Sequence, residues 1–124
     1  NLKLNKVLVL HINHSQELGA DARRVITELK AANVMLLNQS VILKNVNDQA
    51  DVLTELSHDL HDLGVLPYYL HVMDKVQNAS HFDVPIEKAQ RIHQALKERL
   101  PGYLVPKLTA EIKGQKSKTW INNS

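Results

Sequence analysis

Three apolar runs, each closed by polar residues, predict buried strands. Their length and their β-branched or aromatic content are typical of strands covered on both faces. The runs are Val7-Leu8-Val9-Leu10, Val34-Met35-Leu36-Leu37 and Leu66-Pro67-Tyr68-Tyr69-Leu70. Helical patterns separate them, so the strands should be parallel and should all end on one rim. Because an α/β barrel carries its functional residues on that rim, the polar clusters that close the runs are the first candidates for a site.

The periodicity also predicts the boundaries of the elements. Apolar residues three and four apart give each predicted helix one buried stripe, and Gly64 is expected to end the second helix in a left-handed conformation. Asn47 or Asp48 is expected to cap the start of that helix. The predicted strands are 6–12, 34–37, 65–72 and 103–108; the predicted helices are 17–32, 47–63 and 85–100; and 75–83 and 111–119 are predicted loops.

The length indicates part of a barrel. A closed barrel of eight strand–helix units takes about 250 residues, whereas this chain has 124 residues and begins with Asn1. We therefore expect an α/β fold that is the C-terminal half of a partial (β/α) barrel, cut from a longer polypeptide. Residues 1–102 would form the strand–helix units and 103–124 the final strand and tail. Isolated from its N-terminal half, the fragment would leave a strand edge unpaired, which a partner chain, such as a second copy in a homo-oligomer, or a structural rearrangement could cover.

Charge and cysteine content limit which partners and which cellular location we expect for the protein. Fifteen Lys and Arg against thirteen Asp and Glu give a net charge of +2, which is too balanced to indicate nucleic acid or an anionic membrane. No apolar stretch approaches the roughly 20 residues that cross a bilayer. The absence of cysteine excludes disulfides and thiolate ligands within this chain and fits a cytoplasmic location.

Two interpretations of the polar residues after the strands stay open. Alternate strand residues share a face and imidazole is the commonest metal ligand, so His11, His14, His71 and Asp74 could form the metal site of a zinc-dependent barrel hydrolase. Alternatively, these groups and Asn13 hydrogen-bond the loops. The sequence alone does not decide between them.

Charged residues near the two predicted loops suggest further chemistry. Asp74 follows a strand with two tyrosines, where a partly buried carboxylate favours a cationic partner such as an ammonium group or a metal ion. In the tail, Lys113, Lys116 and Lys118 lie around Gly114. They could hold a phosphate, and one lysine with a lowered pKa could form an imine with a carbonyl compound; a solvated linker is the alternative.

Taken in order, these motifs resemble the lysine 2,3-aminomutase family. The matching segments run through nearly the whole chain with compatible spacings, which is far more specific than any one motif. They are His11–His14, Leu37–Asp48, Pro67–Asp74, His81–Phe82, Gly102–Pro106 and Ser117–Thr119. Within the family, Leu70–Val76 and Ser117–Thr119 look closer to the branch that makes β-lysine for modifying elongation factor P than to the branch of lysine fermentation.

The resemblance implies a radical S-adenosylmethionine enzyme that also uses pyridoxal phosphate. Such an enzyme converts L-lysine to β-lysine by moving an amino group from C2 to C3. A 4Fe-4S cluster, held in that family by a Cys-x3-Cys-x2-Cys motif, is its third cofactor. Because this chain has no cysteine, the cluster ligands would lie upstream, and this fragment alone is expected to be inactive.

The resemblance also implies roles for individual residues. Lys118 aligns with the lysine that forms an imine with pyridoxal phosphate. Asp74 aligns with a carboxylate that holds the ε-ammonium group of the substrate, by charge-assisted hydrogen bonds, and Glu111 aligns with a second one. His11 and Gln39 match positions that line the S-adenosylmethionine site.

The sequence departs from the family pattern at two places that affect the residue roles implied by the resemblance. The fermentation enzymes have a glycine run before the imine lysine, where bare backbone can approach a phosphate, but this chain has Lys113-Gly114-Gln115-Lys116-Ser117. Glu111 stands where those enzymes have aspartate, and the extra methylene shifts its carboxylate. Phosphate contacts and ammonium binding are therefore expected to differ from those of the fermentation enzymes.

Overall fold

Four parallel strands in chain order form the centre of the fold. The computed structural model describes residues 6–73, 84–111 and 119–120. The parallel strands are β1 (Lys6–Leu10), β2 (Val34–Val41), β3 (Val65–Met73) and β4 (Lys107–Glu111), and a short β5 (Thr119–Trp120) pairs antiparallel with β4. The sheet order β1-β2-β3-β4-β5 is the sequential order that repeated right-handed strand–helix units produce.

Helices connect the parallel strands. They are α1 (Ala20–Ala31), α2 (Ala50–Asp62) and α3 (Ile86–Arg99), with short 3-10 turns at Ser15–Glu17 and Gly102–Leu104. This alternation confirms the α/β class and the parallel sheet that the sequence predicts. Within the described residues, no helix is both long and apolar enough to cross a membrane.

Alternate residues of β2 separate the two faces of the sheet. Val34, Leu36, Asn38 and Ser40 are buried, and Asn38 and Ser40 line a small cavity together with leucines of α2. We call this side the helix-covered face. The residues between them, beginning with Met35, are more exposed and belong to what we call the open face. The core lies on the helix-covered face, since α2 and α3 place their buried leucines there, among them Leu53, Leu56, Leu60 and Leu96.

The predicted first helix starts too early and its stripe is only partly buried. His14 caps the 3-10 turn by accepting from the backbone N–H of Gln16, and Glu17 bonds back to the backbone N–H of His14. This capping box starts the 3-10 turn at Ser15, and α1 begins only at Ala20. Of the predicted stripe only Ile26 is buried, whereas Val25 is 46% exposed, because α1 lies at the edge of the sheet.

The start of α2 also differs from the prediction. Its N-cap is Gln49, whereas Asn47 and Asp48 serve the preceding turn. Asn47 Oδ1 accepts from the backbone N–H of Leu43 at 2.7 Å, and Asp48 Oδ1 accepts from that of Asn45 at 3.1 Å. Short polar side chains commonly stabilise turns in this way.

Three further boundaries test the sequence interpretation. Gly64 has φ +84°, which confirms the left-handed end of α2. The last parallel strand begins at Lys107 rather than 103, because Gly102–Leu104 forms a 3-10 turn and Pro106 precedes the ladder. The predicted tail loop is wrong at both ends, since Glu111 closes β4 and Thr119 opens β5.

Candidate functional site

The four parallel strands end on a common rim, as predicted. β1 ends at Leu10, directly before His11, and β3 ends at Met73, directly before Asp74 in the sequence. Met73 and Glu111 are register partners at the ends of β3 and β4. Asp74 and Lys118 lie outside the described residues, and the description of Glu111 is limited to its place in the strand. The rim therefore brings the positions of His11, Gln39 and Glu111 to one edge of the sheet.

A hydrogen-bonded relay crosses three strands on the open face. His71 Nδ1 lies 2.6 Å from Thr109 Oγ1, and His71 Nε2 lies 3.0 Å from Gln39 Oε1. Thr109 is the register partner of His71 on β4, and it is 1% exposed. His71 is 9% exposed, while Gln39 is half-buried. The relay therefore runs from a buried hydroxyl to an amide that borders solvent.

The partners of His71 define its neutral tautomer. An amide oxygen can only accept a hydrogen bond, so Nε2 of His71 carries the hydrogen that is donated to Gln39. In the neutral ring Nδ1 is then the acceptor, and Thr109 Oγ1 donates to it. With its oxygen occupied, Gln39 presents its amide NH2 group as a donor.

Two tyrosines adjoin the relay. The Tyr69 and His71 rings are stacked with centroids 5.7 Å apart and an interplanar angle of 27°. The Tyr68 and Tyr69 rings lie 4.3 Å apart, at a register shift of β2 against β3. A hydrogen bond with Tyr68, followed by burial, raises the pKa of Tyr69. Lys107 Nζ lies 5.6 Å from the centroid of the Tyr68 ring, so a row of rings connects the imidazole to a cationic group.

The opposite end of the open face is apolar. Val7, Met35 and Leu66, near the amino ends of their strands, are 56%, 51% and 41% exposed. The relay lies nearer the carboxyl ends. The open face thus changes from apolar to polar along the strand direction, and its hydrogen-bonding groups are concentrated at the rim.

A buried network fixes the chain immediately after β1. Asn38 accepts from the backbone N–H of Ile12 at 2.9 Å and donates to the carbonyl of Ile12 at 3.0 Å. Ser40 Oγ donates to the same carbonyl at 2.7 Å. Because Ile12 follows His11, these bonds hold the segment that carries a candidate site residue.

A second network fixes the loop after β2. Asn13 Oδ1 accepts from the backbone N–H of Val41 at 2.9 Å. Asn47, which is fully buried, donates to the carbonyls of Asn13 and Val41 at 2.8 and 2.9 Å.

Asp48 adjoins this network and binds Lys88 at 2.7 Å. Burial alone would raise the pKa of Asp48, but the hydrogen bond and charge of Lys88 together with backbone hydrogen bonds outweigh it, so that pKa is lowered.

These bonds support the loop-stabilising interpretation and give no support to the zinc site. His14 Nδ1 accepts from the backbone N–H of Gln16 at 3.0 Å, and both ring nitrogens of His71 bond protein groups. Within the part of the chain that the structure describes, no three candidate ligands come together to hold a metal ion.

Sequence analysis did not identify the roles of Thr109 and His93. Thr109 was missed because the predicted last strand ended at 108. His93 is 8% exposed, and its Nε2 donates to the carbonyl of Pro106 at 2.8 Å. Burial is the main cause of its lowered pKa. Its only sequence signal is its position next to Ile92, within the buried stripe of α3.

Comparison with known proteins gives sequence relatives. No family model matches the chain. It is 51% identical over 116 residues to the L-lysine 2,3-aminomutase of Escherichia coli, covering 94% of this chain and 34% of the relative. The identity is 50% over 117 residues for the enzyme of that name from Haemophilus influenzae, covering 94% and 35%. For that from Clostridium subterminale it is 36% over 109 residues, covering 88% and 26%. The chain spans about a third of the length of the first two relatives.

A solved structure shares the fold. The crystal structure of a radical SAM methyltransferase from Sphaerobacter thermophilus matches with a TM-score of 0.54 and 16% sequence identity, covering 87% of this chain and 34% of that chain. At that identity the likeness concerns the fold alone. It confirms that the strands and helices are arranged as in part of a radical S-adenosylmethionine enzyme.

Proposed function

We propose that this chain, which is homologous to about a third of the L-lysine 2,3-aminomutases, is the C-terminal part of an enzyme that converts L-lysine to β-lysine. The observation that carries the proposal is the 51% identity over 94% of the chain. The rim supports it, because the strand order gathers the positions of candidate residues that are far apart in the sequence.

His11 and Gln39 are proposed to bind S-adenosylmethionine. His11 is exposed directly after β1, and Gln39 is half-buried on β2. Leu10 and Asn38 are register partners, so the two candidates follow neighbouring positions of adjacent strands. The oxygen of the Gln39 amide is already engaged by His71, so its NH2 group is left as the donor for a ligand. This donor fits a ligand rich in acceptor atoms, such as a nucleoside with a carboxylate.

Asp74 and Glu111 are proposed to bind the ε-ammonium group of lysine. Glu111 pairs with Met73 at the strand ends, and Asp74 is the next residue in the sequence. Two carboxylates could share an ammonium group, which has three donors and no acceptor. Charge-assisted hydrogen bonds of this kind are roughly twice as strong as neutral ones.

Lys118 is proposed to hold pyridoxal phosphate. When bound, the cofactors supply a radical and an electron sink for moving the amino group. The residues of this chain would orient them and exclude water. Thiolates for a 4Fe-4S cluster must come from elsewhere in the protein, because this chain has no cysteine.

The biological role is part of the same proposal. The segments Leu70–Val76 and Ser117–Thr119 favour the branch that supplies β-lysine for modification of elongation factor P, in the cytoplasm. The N-terminal part of the enzyme is proposed to cover the apolar end of the open face, where Met35 is 51% exposed. A homo-oligomer that covers this end is the alternative arrangement.

The experiment combines chemical labelling with turnover in the complete protein. Borohydride reduction with pyridoxal phosphate, followed by peptide mapping, should place the label on Lys118. Lys118→Ala should lose the label and β-lysine formation under anaerobic reducing conditions. The matched control Lys116→Ala, two residues away, should keep both. Labelling at another lysine would remove Lys118 from this role, and stoichiometric zinc in place of iron and sulfide would reject the enzyme class.

A further inference from the structure

The relay on the open face links the proposed ligand site to the interior of the sheet. Val41, His71 and Thr109 are register partners across β2, β3 and β4. Gln39 lies two residues before Val41, at a diagonal position on the same face. One imidazole can therefore reach Thr109 at 2.6 Å and Gln39 at 3.0 Å at the same time.

We infer that His71 is a positioning residue for Gln39, fixing which end of its amide faces the ligand. The inference rests on the proposed function, in which Gln39 binds S-adenosylmethionine. A glutamine amide can present either its oxygen or its NH2 group in nearly the same volume, because its terminal torsion is broad and roughly two-fold. The N–H of His71 can be accepted only by the amide oxygen, so the NH2 group turns away towards the site.

The buried end of the relay completes the hydrogen bonding of this tautomer of His71. Thr109 is 1% exposed, and its hydroxyl lies close enough to donate to His71 Nδ1. With Nδ1 accepting, the neutral ring carries its hydrogen on Nε2. The donors then point in one direction: from the Thr109 hydroxyl to the ring, from the ring to the Gln39 oxygen, and from the Gln39 amide to the ligand. Such chains polarise one another and strengthen each bond.

Stacking holds the ring in the plane that the relay needs. The Tyr69 ring lies 5.7 Å from His71, at 27°. Rotation of the imidazole would break this stacking and both hydrogen bonds together. The arrangement therefore favours a preorganised donor over one that forms only when ligand binds.

The test measures S-adenosylmethionine binding by equilibrium dialysis in the complete protein with its cluster assembled. His71→Phe keeps an aromatic ring and removes both hydrogen bonds. We expect its dissociation constant for S-adenosylmethionine to rise about tenfold, with KM for this ligand affected more than kcat. The matched control is His93→Phe, which removes the other buried histidine of the described residues. It should lower the unfolding midpoint and leave the dissociation constant within about twofold of the wild type.

A second variant keeps the inference testable if His71→Phe does not fold. Thr109→Val is nearly isosteric and removes only the donor to Nδ1, so we expect about a threefold weaker affinity. Nitrogen-15 NMR of labelled histidine reports the tautomer without relying on activity. The hydrogen of His71 should be on Nε2 in the wild type and should divide between the two nitrogens in Thr109→Val.

The outcomes separate this inference from the proposed function. Wild-type protein that fails to bind S-adenosylmethionine would reject the proposed function, and the inference with it. Wild-type binding with unchanged affinity in both His71→Phe and Thr109→Val would reject the inference alone. Equal weakening by His93→Phe would also reject it, because the effect would then be general loss of structure.

Discussion

The two faces of the sheet are formed by alternate residues of the same strands, yet they contain different chemistry. On the helix-covered face, Leu36, Leu70 and Leu108 are each 1% exposed. On the open face, Met35 remains 51% exposed, and the groups nearer the rim include Gln39 and His71, which are joined by a hydrogen bond. One face supplies most of the stability of the fold, and the other supplies the candidate site. A substitution on the helix-covered face should therefore reduce stability, and a substitution at the next residue of the strand, on the open face, should mainly affect binding.

The largest expected effect comes from neighbouring positions of β2. Leu36→Ala should reduce the free energy of unfolding by about 3 kcal/mol, since it removes fully buried atoms and leaves a cavity. Met35→Ala should cost less than about 1 kcal/mol, because half of that side chain already contacts water. Urea unfolding of the two variants of this chain, followed by far-UV circular dichroism, measures the difference.

The same pair shows whether another part of the protein covers the open face. In the complete protein, Met35→Ala should become clearly more destabilising than in this chain, because the proposed N-terminal part would bury Met35. Leu36→Ala should change much less between the two samples. If Met35→Ala is equally mild in the complete protein and in this chain, the N-terminal part does not cover the apolar end of the open face.

A smaller contrast concerns the two amides that follow each other on β2. Asn38→Ala should cost about 2 kcal/mol, because it removes both bonds to the backbone of Ile12 and leaves buried polar groups short of partners. Gln39→Ala should cost about 1 kcal/mol or less and should mainly weaken S-adenosylmethionine binding. Unfolding midpoints and equilibrium dialysis of both variants test whether Asn38→Ala mainly lowers stability and Gln39→Ala mainly weakens binding. An Asn38→Ala protein with normal stability would contradict the role of the network around Ile12.

The sequence predicts the elements well because hydrophobic periodicity reports burial directly. It is less accurate where side-chain bonds to the backbone determine a boundary. The capping box of His14 and Glu17 starts a separate 3-10 turn before α1, and Asn47 binds the backbone of both Leu43 and Asn13. The local sequence pattern does not show which side chain binds which backbone N–H group, because several nearby polar side chains could accept from the same one.

The relay was beyond sequence analysis for a different reason. His71 and Thr109 are 38 residues apart, and their contact depends on the register of β3 against β4. A slip of one residue would turn Thr109 to the helix-covered face. Candidate residues could be assigned by resemblance to a family, but their positioning partner required the strand alignment.

The smallest expected effect is a pH dependence of stability, caused by the buried His93 of α3. Burial, as the main cause, and the charge of Lys97 lower the pKa of His93 below its usual value of 6.5, while the bond to the Pro106 carbonyl partly opposes them. Protonation would also place an N–H at Nδ1, which has no hydrogen-bond partner among the described residues. The folded protein therefore favours the neutral ring.

This shift gives the pH dependence a definite sign. Well above pH 6.5 His93 is neutral in both states and its contribution to stability is complete. As the pH falls below that value, the unfolded chain takes up a proton that the folded chain resists, so the free energy of unfolding decreases until the folded pKa is reached. Urea midpoints between pH 7.5 and pH 5 should show the decrease, and His93→Phe should remove this part of the slope while lowering the midpoint overall. An unchanged slope in His93→Phe would assign the acid sensitivity to other groups. His93 would then contribute to stability through its packing and its bond to the Pro106 carbonyl, whereas His71 on the open face would act by orienting Gln39 through its hydrogen bonds.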